Sequence, residues 1–277
     1  MLKSKISYIL TLINKNRIST VVGAWVYYFL TSAVPLAFLL VTAFSVSGVD
    51  VASDLVASLP VEFRSAGQAI VSAAKSASES VTVFFVGTVL FSSTTLLNQM
   101  SKDGDFIYGA KSKTKRGVFR RVWAVLAIGA LFIVFLALGV IFAFGDALKV
   151  IRVSVGKRGI LLTTIAFTFI IVFSYIIILV LNKFICPHKL TFKQTAIGAL
   201  VSLFIMVLGT IAFIIYLRFF SRYNAFYGSL AGIIVFLLWT YILMLGLVLG
   251  VVTNSIIVQK TGSVEYVKNS RLNQVLR

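Results

Sequence analysis

The sequence predicts an all-α, polytopic integral membrane bundle of about six transmembrane helices, with an amphipathic N-terminal segment and an external helical loop. Three observations predict it. Of 277 residues, 59% are hydrophobic and 12% charged, with a mean hydropathy of +1.01, more apolar surface than a soluble domain of this length requires. The apolar runs are continuous, whereas barrel strands would alternate in segments of about ten residues. The 26 Lys and Arg fall between the runs, so charge sits where the chain meets water.

The elements follow in order. Met1–Thr20 carries Lys3, Lys5, Lys15 and Arg17 around a short apolar patch, Ile6–Ile13. That pattern fits an interfacial amphipathic helix better than a removable leader. Spans are expected near Thr20–Phe44, Val81–Leu97, Val122–Phe144, Ile160–Leu181, Ala196–Leu217 and Tyr227–Ile257, each near the roughly 20 apolar residues that cross a hydrocarbon core of about 30 Å. The second is the shortest and carries Ser92, Ser93, Thr94 and Thr95. The long loop Ser45–Ser80 holds an Ala- and Ser-rich stretch, read as a helix over Glu62–Ser80 that either lies on the outer surface or dips between spans. Residues 1–259 form a single membrane domain, and 260–277 a polar tail.

The last span is the longest, with no charged side chain over the 33 residues Tyr227–Gln259. Gly228 and Gly232 are four apart, as are Gly246 and Gly250. At about 100° per residue the two pairs lie within about 40° of each other on the helix, and Asn254 continues the row. Such a stripe lets membrane helices approach closely, within one chain or between copies in a homo-oligomer.

Charge orients the bundle. Summed over the segments before span one, between spans two and three, between four and five, and after six, one side carries 18 bases; the other carries 8 bases and five of the eight acids. The Lys and Arg bias places both termini in the cytoplasm. The formal charge of +18 then points to anionic lipid headgroups as partners and not to nucleic acid. The basic loop Lys102–Arg121 offers few aromatics for stacking on bases.

The chemistry expected inside the membrane is neutral. None of the acids falls within an expected span, which argues against a carboxylate proton relay. With one cysteine, Cys186, and one histidine, His188, no internal disulfide or zinc set is indicated, and no cofactor or enzymatic step is expected. Tyr28, Ser32 and Pro35 share a face of the first span, where Pro35 should kink the helix. Together with Ser93, Thr94, Asn98, Ser229 and Asn254 they are the candidate lining of a cavity. Trp25 and Trp239 read as large anchors, and Trp123 as an interfacial indole.

Four stretches resemble the YihY/BrkB family of bacterial inner-membrane proteins: Gly23–Leu40 (GAWVYYFLTSAVPLAFLL), the region from Asn98 to Arg121, Cys186–Ala199 (CPHKLTFKQTAIGA) and Tyr227–Tyr241 (YGSLAGIIVFLLWTY). In the third, Phe192 and Ile197 stand where relatives often have Trp and Pro. The resemblance implies a six-helix protein of the bacterial plasma membrane, a class whose members have been labelled virulence factors. The ribonuclease label once attached to that family is not carried over, because one His and eight scattered acids supply no plausible metal set. The function expected is a transporter or flippase-like facilitator of a lipid-linked, anionic or amphipathic solute. The alternative is a non-transporting scaffold for envelope assembly or a protein partner.

Overall fold

The computed structural model describes residues 17–46, 56, 61–76, 79–109, 126–127, 129–130, 164, 168–187, 190–219 and 231–261. Six helices stand out among them: α1 (Ile18–Val46), α2 (Val61–Lys75), α3 (Glu79–Tyr108), α4 (Thr168–Ile185), α5 (Phe192–Phe219) and α6 (Ala231–Thr261). All but α2 are long and apolar enough to cross a membrane. The described residues form no strand. The expected N-terminal amphipathic helix, most of the expected span Val122–Phe144 and nearly all of the polar tail lie outside the described residues.

The five spans share one directional logic. The start of α1, the ends of α3, α4 and α6, and the start of α5 meet at one end of the bundle, here the basal end. The opposite, distal end carries α2. Where sequence expectation and structure differ, local chemistry explains it. The second span was expected to stop near Leu97, yet α3 continues to Tyr108. Its 30 residues are about 45 Å long at about 1.5 Å each, so a helix that begins in one interface emerges well past the other. It stops where Gly109 takes a φ of 67° and returns its N–H to the Phe106 carbonyl at 3.2 Å, a left-handed cap that glycine adopts without strain. The outer helix ends at Lys75, and α3 starts afresh at Glu79, so the expected Glu62–Ser80 helix divides. At the start of α5, Thr191 and Gln194 form a capping box. The Gln194 Oε1 accepts from the Thr191 N–H at 2.9 Å and from its hydroxyl at 3.1 Å.

The core runs along α6. Leu243, Met244, Leu247, Val248 and Val251 are all fully buried, and α6 packs most extensively on α5. The second tight pair is α1 with α3, where Trp25, Phe29, Leu96, Leu97 and Met100 fill the interface. Outward faces carry Phe84, Phe91, Phe169 and Phe204, as surfaces in contact with acyl chains do. The α5–α6 approach depends on missing side chains: a Cβ at Gly250 would overlap the Ser202 hydroxyl and the Gly198 carbonyl, and one at Gly246 would press on Met206.

Helix α2 packs against α1 and α6. It buries Val71 and Ala74, and Val71 joins Val56 and Val41 in a small cluster of their own.

Candidate functional site

Two polar contacts pin the basal end. The first joins α4, α5 and α6. Asn254, fully buried, accepts from the Gly198 N–H at 2.9 Å through its Oδ1. Its amide nitrogen donates to Asn182 Oδ1 and to the Thr195 carbonyl, both at 3.2 Å. Asn182, also fully buried, donates to the Ile178 carbonyl at 3.0 Å. Gly198 is required here, because a Cβ would overlap the Asn254 carboxamide. Just above, the Ser202 hydroxyl reaches the Leu247 carbonyl at 3.5 Å, and the Tyr175 hydroxyl donates to the Ala196 carbonyl at 3.3 Å. Buried amides in an apolar bundle cost free energy unless bonded; this pair is bonded across three helices.

The second contact ties α1 to α3. Trp25 Nε1 donates to Asp103 Oδ2 at 2.7 Å, and Gln99 Nε2 donates to both carboxylate oxygens at 3.0 and 3.2 Å. One residue on, Gly104 packs so closely under Ile185 that a Cβ would strike the Ile185 carbonyl, which brings the end of α4 against α3. What is corrected is the end of the helix that carries the second span. Asp103 and Asp105 lie in the last turns of α3, inside a helix expected to have ended at Leu97. Trp25, read as an anchor, is fully buried and serves an inter-helix bond.

At the distal end, α1, α2 and α3 line an open cavity of about 590 Å³. Val34 and Phe38 of α1, Ala69 and Ala73 of α2, and Val81 and Phe85 of α3 line it. Phe38 and Phe85 close one wall, ring centroids 4.1 Å apart at 39°. On α2 the lining also includes Ile70, between Ala69 and Ala73, which lie one turn apart. The sole hydroxyl in the lining, that of Ser76, already donates to the Ser72 carbonyl at 3.0 Å.

The sequence-predicted site residues are not brought together in this cavity. Ser32 is fully buried and donates to the Tyr28 carbonyl at 2.8 Å on its own helix. Thr94 does likewise to the Leu90 carbonyl at 2.7 Å. Tyr28 is half-buried, its ring edge-on to the exposed Tyr27. Pro35 is buried within α1, which runs unbroken through it. Ser93 is fully buried with no partner for its hydroxyl among the described residues, and Asn98 is half-buried on α3. Asn254 belongs to the basal contact. Gly246 and Gly250 face α5; Gly232 lies in the first turn of α6. Gly228 and Ser229 lie outside the described residues. Asn182, Thr195, Gly198 and Asp103 were not singled out from the sequence. The signal for Asn182 was a lone amide ending an apolar run, and for Thr195 and Gly198 a place in the resemblance-bearing stretch Cys186–Ala199. Among the described residues no three of His, Cys, Asp and Glu are grouped as metal ligands would be.

These features define a multi-pass helical membrane protein whose spans are joined by buried polar contacts at one end and which carries an apolar pocket between α1, α2 and α3 at the other. The family model described as Virulence factor BrkB matches residues 9–273, and the chain belongs to that family. It is 28% identical over 184 residues to a UPF0761 membrane protein of Mannheimia succiniciproducens, covering 64% of this chain and 59% of the relative. It is 33% identical over 90 residues to one from Coxiella burnetii, 31% of this chain and 32% of the relative. In these two matches the chain covers less than two thirds of the relative's length. The match to a Haemophilus influenzae UPF0761 membrane protein is 24% identical over 249 residues, 86% of this chain and 88% of the relative. No solved structure matches.

Proposed function

We propose that the chain is a transporter or flippase-like facilitator of the bacterial plasma membrane that handles an amphipathic, lipid-type solute, with no enzymatic step. The observation that carries this reading is the cavity of about 590 Å³ between α1, α2 and α3. Its volume falls within the roughly 300–1,000 Å³ of small-molecule sites. Its lining is mostly apolar, and the one side-chain hydroxyl, that of Ser76, already donates within its own helix, so a hydrophilic solute would lose most of its hydration there with little compensation. Of the three solute classes expected from sequence, the amphipathic and lipid-linked ones suit such a wall; a small hydrophilic anion does not. The bias of 18 bases to 8 puts the basal end at the cytoplasm and the cavity towards the outer leaflet. Anionic lipid headgroups are the partners this charge favours, and the reading includes no nucleic acid.

Proteoliposomes carrying a fluorescent headgroup-labelled phospholipid test the proposal. A membrane-impermeant quencher added outside should reach more of the label when the protein is present than in empty vesicles, and Ala73→Phe should slow the extra exchange severalfold. Equal exchange with and without a folded protein would overturn the transport reading in favour of a scaffold.

A further inference from the structure

We propose that the α1–α2–α3 cavity is a lipid site that holds one acyl chain of a membrane glycerophospholipid. The inference rests on the membrane-facilitator reading for its setting and deepens it by naming the occupant. Three observations carry it.

The first is the chemistry of the wall. Val34, Phe38, Val81 and Phe85 supply apolar surface, and the Ser76 hydroxyl is already bonded within its own helix. A polar part of a ligand placed inside would find few partners, which favours hydrocarbon for the buried portion. The second is access. Val34 and Val81 line the cavity and are also 44% and 40% exposed. One turn along α3, between the cavity-lining Val81 and Phe85, Phe84 is 68% exposed. In a protein whose spans stand in a bilayer, that flank is the lipid interface. The cavity is therefore continuous with acyl chains and is filled sideways from the membrane. The third is the origin of the space. Ala69 and Ala73 lie one turn apart on α2 with Ser76 a further turn on. Beside Ile70, these short side chains leave the space between α2 and the valines and phenylalanines of α1 and α3 unfilled. Ser76 and the exposed Lys75 sit at the end of α2, where chain and cavity both reach the water boundary. That is the level at which a phosphate headgroup lies when its chain descends past Phe85 and Phe38.

The full-length protein, extracted from membranes in mild detergent, should retain one phospholipid per chain in native mass spectrometry. Ala69→Phe and Ala73→Phe each fill the cavity and should lose that lipid. Val83→Phe, which adds a ring at an exposed position on the face of α3 turned away from the cavity, should keep it. In a second measurement, a phosphatidylglycerol with a mid-chain diazirine is photolysed in vesicles containing the wild-type protein. Its cross-links should map to residues 34–38, 69–76 and 81–85. Lipid retained equally by both filled variants, or cross-links confined to other segments, overturns the proposal. Should a filled variant fail to fold, the wild-type cross-link map decides alone. The lipid site and the transport reading fail separately. Lipid held by the wild type and lost from Ala73→Phe, with exchange equal in the presence and absence of protein, sustains the site and sinks transport. Exchange slowed by Ala73→Phe with no lipid retained and no cross-link in the cavity sinks the site and leaves transport standing.

Discussion

Asn254 shows how much one side chain can be asked to hold in a bundle without charge. Its carboxamide makes three hydrogen bonds that reach both α4 and α5. Bonds of this kind between membrane helices contribute on average about 0.6 and at most about 1.7 kcal/mol each. Asn254→Ala should therefore destabilise the fold by about 2 kcal/mol, since it removes all three bonds and leaves Asn182 short of a partner. Asn254→Leu should cost more, because its branched carbons meet Gly198 where the flat amide now lies. The readout is built in. Cys186 is the chain's one cysteine and is buried beside the basal contacts, so its reaction with a thiol-specific fluorophore on heating reports the melting of that end. Melting unchanged in Asn254→Ala would show that the amide is redundant. As a residue, Asn254 was legible as the end of the glycine row; its partners were not. Periodicity gives the face on which an amide lies, but not which amide on another helix will be opposite it. Trp25 illustrates the same limit. An indole near the start of a span reads as a large anchor, and only the unexpected extension of α3 brings Asp103 within 2.7 Å of its nitrogen.

Among elements, the outcome depends on whether a small residue faces protein or lipid. Gly246 and Gly250 face α5 at distances that leave no room for a methyl group, whereas Gly23 and Gly87 have nothing within 4 Å of the place a Cβ would take. The same chemical change should therefore have opposite results. Gly250→Ala forces α5 and α6 apart and should destabilise by about 1–3 kcal/mol, the usual cost of overpacking. Gly23→Ala should be neutral or stabilise by up to about 1 kcal/mol, because it relieves the backbone entropy of a mid-helix glycine without a clash. Parallel thermal unfolding of the two variants in one detergent checks the contrast, and similar shifts for both would deny that α5 and α6 touch through their glycines. Five of the spans were readable as hydrophobic runs because a bilayer demands length and continuity, which hydropathy measures directly. The end of α3 was not. Asn98, Gln99, Ser101, Lys102, Asp103 and Asp105 read as loop by polarity, yet helix geometry persists until a glycine with positive φ ends it. The cavity was legible least of all. It arises from alanines of α2 opposite side chains on two other helices, and an Ala-rich stretch alone does not say what it leaves empty.

The two ends of the whole molecule differ in construction. Basally, bonded amides and an indole–carboxylate pair join five helices, with Gly104 and Gly198 drawing backbones together. Distally, one amphipathic helix leans on α1 and α6 and leaves space against α3. Under the proposed lipid site, the chain enters at this distal end, between α1, α2 and α3. Which leaflet this serves depends on orientation, and orientation follows from charge. Lys and Arg are retained on the cytoplasmic side during insertion, and the 18 bases of one side include Lys193 at the start of α5, while the 8 of the other include Lys75 at the end of α2. Both side chains are exposed, and the buried Cys186 thiol does not compete for reagent in the folded state. A membrane-impermeant maleimide added to intact spheroplasts should label Lys75→Cys and leave Lys193→Cys unlabelled until the membrane is permeabilised. The opposite pattern would invert the molecule. The cavity would then draw its chain from the cytoplasmic leaflet, and the external helix would be a cytoplasmic one, with the packing described here unchanged.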